Sequence, residues 1–270
     1  MREGLSMNRK NRTLHCWYEV PGRMRILPLM VGLLLVQSVY VRAGQSGKPA
    51  AQWNPVASEL KPYASALGKR VQRPGTGKIA ATGTVSNPDK AHKSEPIRIT
   101  WEYPLKIRLE KNDSLLTFDR NSPARSIFRN QEEADFVQML LEDSADGFFA
   151  LQRNRTSRRF LGSGFKLEGA KESDPGVDIM TLTLPDMLQR DRSITKSFWF
   201  NSRTKLLGLV AYTSPAGVLT NIIVDDWRNV EGESIPFRVE RWENNKLTMQ
   251  IVLESVTVSA GADDGSMGGN

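Results

Sequence analysis

Cysteine occurs once in the 270 residues and histidine twice. The single cysteine, Cys16, precedes an apolar run that ends at Val41, so the body of the chain holds no thiol. Disulfides and thiolate metal sites are thereby excluded from it, and an oxidising compartment poses no hazard. His15 lies in the same N-terminal stretch, and His92 sits in the polar loop "SNPDKAHKSEP", where a solvated side chain is expected. A Ser-His-Asp site would have to use His92, yet no G-x-S-x-G elbow surrounds any serine. The nearest imitation, "LGSGF" at 161–165, reads as a turn. Zinc needs three or four His, Cys or carboxylate ligands, and the first two types are nearly missing. An EF-hand spacing does not occur, although a calcium site built from oxygens stays open. "GTGK" at 75–78 has Gln72 where a phosphate loop wants glycine and Ile79 where it wants Ser or Thr. No G-x-G-x-x-G follows a strand, so neither a nucleotide nor a dinucleotide cofactor is expected, and no other cofactor is implied.

Charge of one sign is also scarce once the ends are separated. The formal net charge is +7, but residues 1–43 hold seven basic and two acidic side chains. The remainder carries 30 basic against 28 acidic residues. Such balance gives weak support to a nucleic-acid partner. "QRNRTSRRF" at 152–160 is arginine-rich but has one terminal aromatic and no stacking series, which suits a wet strand face better than RNA.

What is present begins with "MRILPLMVGLLLVQSVYVRA" at Met24–Ala43. Arg23 and Arg25 precede the apolar run Ile26–Val41, and compact residues follow around Ala43. This is the pattern of a signal peptide cleaved near Ala43, with a periplasmic or secreted product. The alternative is an uncleaved N-terminal anchor, but the run falls short of the ~20 residues that comfortably span a bilayer. Residues 1–43 are thus read as an N-terminal extension and signal peptide, and 44–57 as a flexible leader.

Ser58–Gln72 is expected to be a helix, because Leu60, Tyr63, Ala64, Leu67 and Val71 recur at intervals of three and four. Pro62 fits only in its first turn. The pattern then changes to period two. Ile97, Ile99, Trp101 and Tyr103 alternate with polar residues, as do Leu105, Ile107 and Leu109, and "KND" turns the chain into "SLLTFD" with Leu116 and Phe118. One helix interrupts, with Asn130 as N-cap and Glu133 three residues on. Alternation resumes through Phe198 and Phe200, then Phe237 and Val239, then Met249 and Ile251. After Glu254 the phase shifts, which predicts a bulge. Pro236 predicts a strand start or an edge. The expected architecture is mainly β with a few helices: a curved antiparallel sheet of about ten strands forming an incomplete barrel, covered by one or two helices. Residues 58–258 would form one domain and 259–270 a disordered tail.

Three short motifs carry a resemblance. Trp101–Leu109 reads "WEYPLKIRL", Phe198–Leu206 reads "FWFNSRTKL", and Val230–Pro236 reads "VEGESIP". In that order they resemble the lipoprotein-carrier (LolA/LolB-like) superfamily of bacterial envelopes, over roughly residues 58–258. The resemblance implies a half-barrel whose concave apolar face takes acyl chains or other hydrophobic ligands, a lipoprotein among them. No contact residue carries over from the family.

The inner face expected from alternation alone supplies the candidate binding surface. On the early strands it comprises Ile97, Ile99, Trp101, Tyr103, Ile107, Leu116 and Phe118. On the later strands it comprises Phe198, Phe200, Phe237, Val239, Met249 and Ile251. The leading expectation is a non-catalytic exported protein that binds a lipid, acyl chain or lipidated protein. A second is an envelope interaction or sensor module that grips a partner protein with the same fold. A third is a hydrolase using carboxylates among Asp225, Asp226, Glu231 and Glu233. The adjacent aspartates would point to opposite faces of a strand, and the two glutamates read as solvated turn residues.

Overall fold

The computed structural model describes residues 56–73, 77–88, 94–103, 106–112, 114–119, 130–153, 157–167, 171–185 and 193–260. All fall within one compact unit, Gln52–Asn270. The expected signal peptide, the leader as far as residue 55, His92 and residues 261–270 of the expected tail lie outside the described residues, whereas Ser259 and Ala260, also expected in the tail, end the last strand.

Among the described residues there are eleven strands, where about ten were expected: β1 (Gly77–Ser86), β2 (Ser94–Glu102), β3 (Lys106–Lys111), β4 (Ser114–Asp119), β5 (Ser157–Phe165), β6 (Val177–Pro185), β7 (Ser193–Asn201), β8 (Leu207–Thr213), β9 (Leu219–Val230), β10 (Glu233–Glu243) and β11 (Lys246–Ala260). They form one antiparallel sheet in the order β4-β3-β2-β1-β11-β10-β9-β8-β7-β6-β5. The sheet is open and curved, with β4 and β5 as its two edges. Each neighbour in space is a neighbour in sequence, except that β1 pairs β11.

Side-chain alternation explains this register. Ile79, Trp101, Ile107 and Phe118 stand opposite one another across β1 to β4. Met180, Phe198, Val210 and Ile222 do the same across β6 to β9. A one-residue slip in any strand would turn such a row into solvent. Short turns set the reversals. Asn244 and Asn245 both adopt positive φ between β10 and β11, as a two-residue hairpin loop requires.

All three sequence motifs fall on hairpins. "WEYPLKIRL" joins β2 to β3, and "VEGESIP" joins β9 to β10. In "FWFNSRTKL", Asn201 Oδ1 accepts bonds from the amides of Arg203 and Thr204 at 2.8 and 3.0 Å, which folds the β7–β8 turn. The bulge expected after Glu254 is present, since Thr82 pairs with Ser255 but Gly83 with Leu253. Pro236 needs a revision. It is the fourth residue of β10, not the first, and pairs with Trp227 of β9. Pairing of β10 with β11 begins only at Arg238, so the proline occupies a stretch with one partner strand.

Both expected helical stretches exist, and both are broken. The first comprises a 3-10 turn at Ser58–Leu60, then α1 (Lys61–Leu67) and α2 (Lys69–Gln72). Pro62 lies in the first turn of α1, as required. The break is Gly68, at φ 117°, a conformation that L side chains rarely adopt. The second comprises α3 (Gln131–Leu141), capped by Asn130 Oδ1 on the Glu133 amide at 3.0 Å, and then α4 (Ala145–Arg153), which the alternation gave no reason to expect.

β4 and β5 are consecutive in sequence yet lie at opposite edges, and α3 and α4 belong to the chain that joins them. The helices pack on the inner face. Phe148 of α4 meets Phe198 and Phe200 with ring centroids 5.0 and 5.2 Å apart, and Tyr63 of α1 meets Phe200 at 5.2 Å. Each such fully buried large side chain stabilises the fold by roughly 1.5–3 kcal/mol.

Candidate functional site

The helical cover is held to the sheet by buried charge as well as by apolar contact. Arg70 of α2 is 3% exposed. Its guanidinium reaches Asp146 at the start of α4 at 3.0 Å and Glu233 of β10 at 2.8 Å. It also donates to the carbonyl oxygens of Leu67 and Ser234. Glu233 in turn accepts bonds from the amides of Lys69 and Arg70 at 2.9 and 3.2 Å, satisfying donors that the first turn of a helix leaves open. Burial would lower the Arg70 pKa, but the neighbouring Asp146 and Glu233 outweigh it and hold the group charged.

A second cluster fixes the turn between α3 and α4. Lys196 of β7 is wholly buried and donates to Glu142 at 3.2 Å and Asp143 at 2.5 Å, both themselves buried. Tyr212 of β8 donates to Asp143 at 3.0 Å. Arg241 of β10 extends the network to Asp135 of α3 at 3.4 Å and to Glu243 at 2.7 Å. Burial pushes the Tyr212 hydroxyl well above its ordinary range, and the Asp143 charge adds to that.

A third cluster secures α1. Tyr63 donates to the buried Asp178 of β6 at 2.7 Å. Ser202, Lys205 and the Gly164 amide complete the shell of that carboxylate at 2.6, 2.8 and 3.1 Å. Burial alone would raise the Asp178 pKa, but the bonds from Lys205, Ser202 and Tyr63 hold it below the ordinary carboxylate value.

Between the first two clusters the apolar face is incompletely filled. A hollow of about 60 Å³ remains beneath the α3–α4 turn. Its sheet wall includes Ile99, Trp101, Val224, Phe237, Val239 and Ile251, and its roof includes Met139 and Leu140 of α3. Arg70, Asp143 and Asp146 border it, already engaged in the bonds above.

Of the expected face, Ile99, Trp101, Phe237, Val239 and Ile251 therefore meet at this hollow. Phe198 and Phe200 lie under α1 and α4. Ile97, Tyr103, Ile107 and Met249 are buried in the same continuous core, with Leu116 and Phe118 packed against it at the β4 edge. The four carboxylates weighed as a catalytic set have separate surroundings. Asp226 is exposed and pairs with Arg228, Glu231 is exposed in the β9–β10 turn, Asp225 is half-buried, and Glu233 is buried against α2. Glu233 thus corrects the expectation of a solvated turn residue, because its partners lie more than 160 positions away in sequence. Lys196 and Arg241 were absent from the expected face, although both are in phase with the apolar residues of their strands. A cation at a core-facing strand position is the signal that would have found them. Among the described residues no group of three or more His, Cys, Asp or Glu side chains is placed to hold a metal ion. Among the same residues no helix is long and apolar enough to cross a membrane.

No family model and no curated protein sequence matches the chain. Among solved structures, a LolA superfamily protein from Nitrosomonas europaea is similar at 14% identity and a TM-score of 0.44, over 74% of this chain and 92% of that one. A putative outer membrane lipoprotein-sorting protein domain from Vibrio parahaemolyticus is similar at 7% identity and a TM-score of 0.47, over 73% and 91%. A DUF1329 family protein from Desulfovibrio piger is similar at 9% identity and a TM-score of 0.44, over 75% and 94%.

Proposed function

We propose that this chain is an exported, non-catalytic binder that shelters a lipid, an acyl chain or a lipidated protein against the concave apolar face of its sheet. The observation that carries the reading is the manner in which that face is covered. Short helices lie over a continuous apolar surface, are fastened by buried ion pairs, and leave a small apolar hollow beneath. Replacing buried ion pairs by apolar residues is often neutral or stabilising, so a cover needed for stability alone gains little from them. They do fix one seated position of the helices. The hollow of about 60 Å³ is far smaller than the ~300–1,000 Å³ of ordinary ligand sites. A guest chain would therefore enter by displacing α3 and α4 from the sheet, its methylenes replacing their apolar contacts.

The test is titration of the purified chain with a dansyl-labelled fatty acid, alongside native mass spectrometry of the protein as isolated. Saturable binding with a blue-shifted emission is expected. Val224→Phe, which fills the hollow, should weaken it. A chain that is isolated ligand-free and ignores every acyl probe is not a lipid binder. Recovery of one stoichiometric protein instead would favour a module that grips a partner.

A further inference from the structure

Among the described residues five large apolar side chains stand exposed, and three of them lie within six positions of β5: Phe160, Leu161 and Phe165, at 53, 46 and 44%. β5 is an outer edge of the sheet. Phe160 pairs with Met180 and so prolongs the row Met180–Phe198–Val210–Ile222. Each of those four is buried, whereas Phe160 is bare. The greasy inner surface thus runs outward to the rim and ends uncovered.

The edge is unsuited to receive another strand. Its register with β6 shifts twice, between Phe160 and Gly162 and again between Gly162 and Phe165. Gly162 and Gly164 both take positive φ. Such bulges break the regular row of amides and carbonyls that an added strand would need. Recognition here must act through side chains. The segment 157–166, "SRRFLGSGFK", contains Arg158, Arg159 and Lys166 and no acidic residue. Arg158 is paired with Glu59, and Lys166 donates to the carbonyl oxygens of Glu172 and Asp174, while Arg159 is exposed. Arg159, exposed beside Phe160, is thus a cation of this segment that faces outward.

We propose that the β5 rim is a membrane-contact element that seats Phe160, Leu161 and Phe165 at the headgroup boundary of an anionic bilayer. Apolar and aromatic side chains flanked by basic residues suit that boundary, where ring and methylene surface meets acyl chain and cations meet phosphate. The rim prolongs the concave face beyond the helical cover, and a label placed on it reads vesicle contact whether or not an acyl chain binds beneath the helices.

The experiment places an environment-sensitive nitrobenzoxadiazole label at the rim of the full chain, as Leu161→Cys in a Cys16→Ser background, with Val252→Cys labelled as a control on another exposed site. Vesicles of phosphatidylglycerol with phosphatidylcholine are compared with phosphatidylcholine alone. The rim label is expected to brighten and shift to the blue with the anionic vesicles only, and the control label to stay as in buffer. Adding Arg159→Gln should weaken the apparent affinity at the rim roughly fivefold, and added salt should weaken it further. The proposal is overturned by a rim label indifferent to anionic vesicles. It is equally overturned by equal shifts at both positions, or by a shift that grows with protein concentration without vesicles.

Discussion

Gly68 and Glu233 compete for one small space. A Cβ added to Gly68 would stand 2.1 Å from Glu233 Oε2 and 3.0 Å from the Glu233 Cα. The carboxylate reaches the α2 amides only because the chain is bare where α1 ends. Gly68→Ala is therefore expected to lower stability by about 2 kcal/mol or more, since it combines a forbidden φ with this collision. Glu233→Gln should also destabilise. The double variant should lose less than the two separate losses together, as urea unfolding followed by tryptophan fluorescence would measure.

Lys196→Met leaves Glu142 and Asp143 as buried acids without their cation. The expected cost is about 3–5 kcal/mol. Adding Glu142→Gln and Asp143→Asn to the same chain should restore most of it, because the charges then leave together. A triple variant no more stable than the single one, in the same unfolding assay, would contradict this account.

Phe148 is wholly buried between α4 and the sheet. Phe148→Ala should cost about 3–5 kcal/mol. Leu161→Ser, at the exposed rim, should leave the unfolding midpoint within error. The contrast separates surface that holds the fold from surface that is free to meet something else.

The pH dependence has a defined sign at each end. Asp178 has a folded pKa below its unfolded value, so its contribution is fully present above about pH 4 and is lost as pH falls through the folded value. Asp178→Asn should flatten the acid limb of a stability-against-pH curve. Tyr63 is raised, first by burial and then by its bond to Asp178. Its contribution is full below about pH 10 and declines above that, as the unfolded chain ionises first. Tyr63→Phe should flatten the alkaline limb.

The strands were legible because an apolar–polar alternation states which side chains point inward, and hairpin turns fix which strands meet. Leu247, Met249, Ile251 and Leu253 predict β11 and its face directly, and even the bulge after Glu254 follows from a broken phase. α4 was not legible. "ADGFFALQR" is short and carries Gly147, a poor helix former, at the place where a Cβ would stand 2.0 Å from the Leu141 carbonyl oxygen. Its helical state is imposed by packing on α3 and the sheet. The fastening charges were hidden for a related reason. Arg70 and Glu233, or Lys196 and Glu142, are joined only after the sheet has closed the distance between them, and no local pattern encodes that meeting.

The pairing of the first strand with the last has a mechanical meaning. Gly77 and Ala260 are direct partners at one end of the β1–β11 ladder, and the strands run in opposite directions. Tension applied between Gly77 and Ala260 would therefore load these hydrogen bonds one pair at a time, as a zipper is opened, instead of shearing the whole row together. The sheet would part into β1–β4 and β5–β11, two portions still tied by the span that carries α3 and α4 and, through the seat of α2 on Glu233, by the link from α2 to β1.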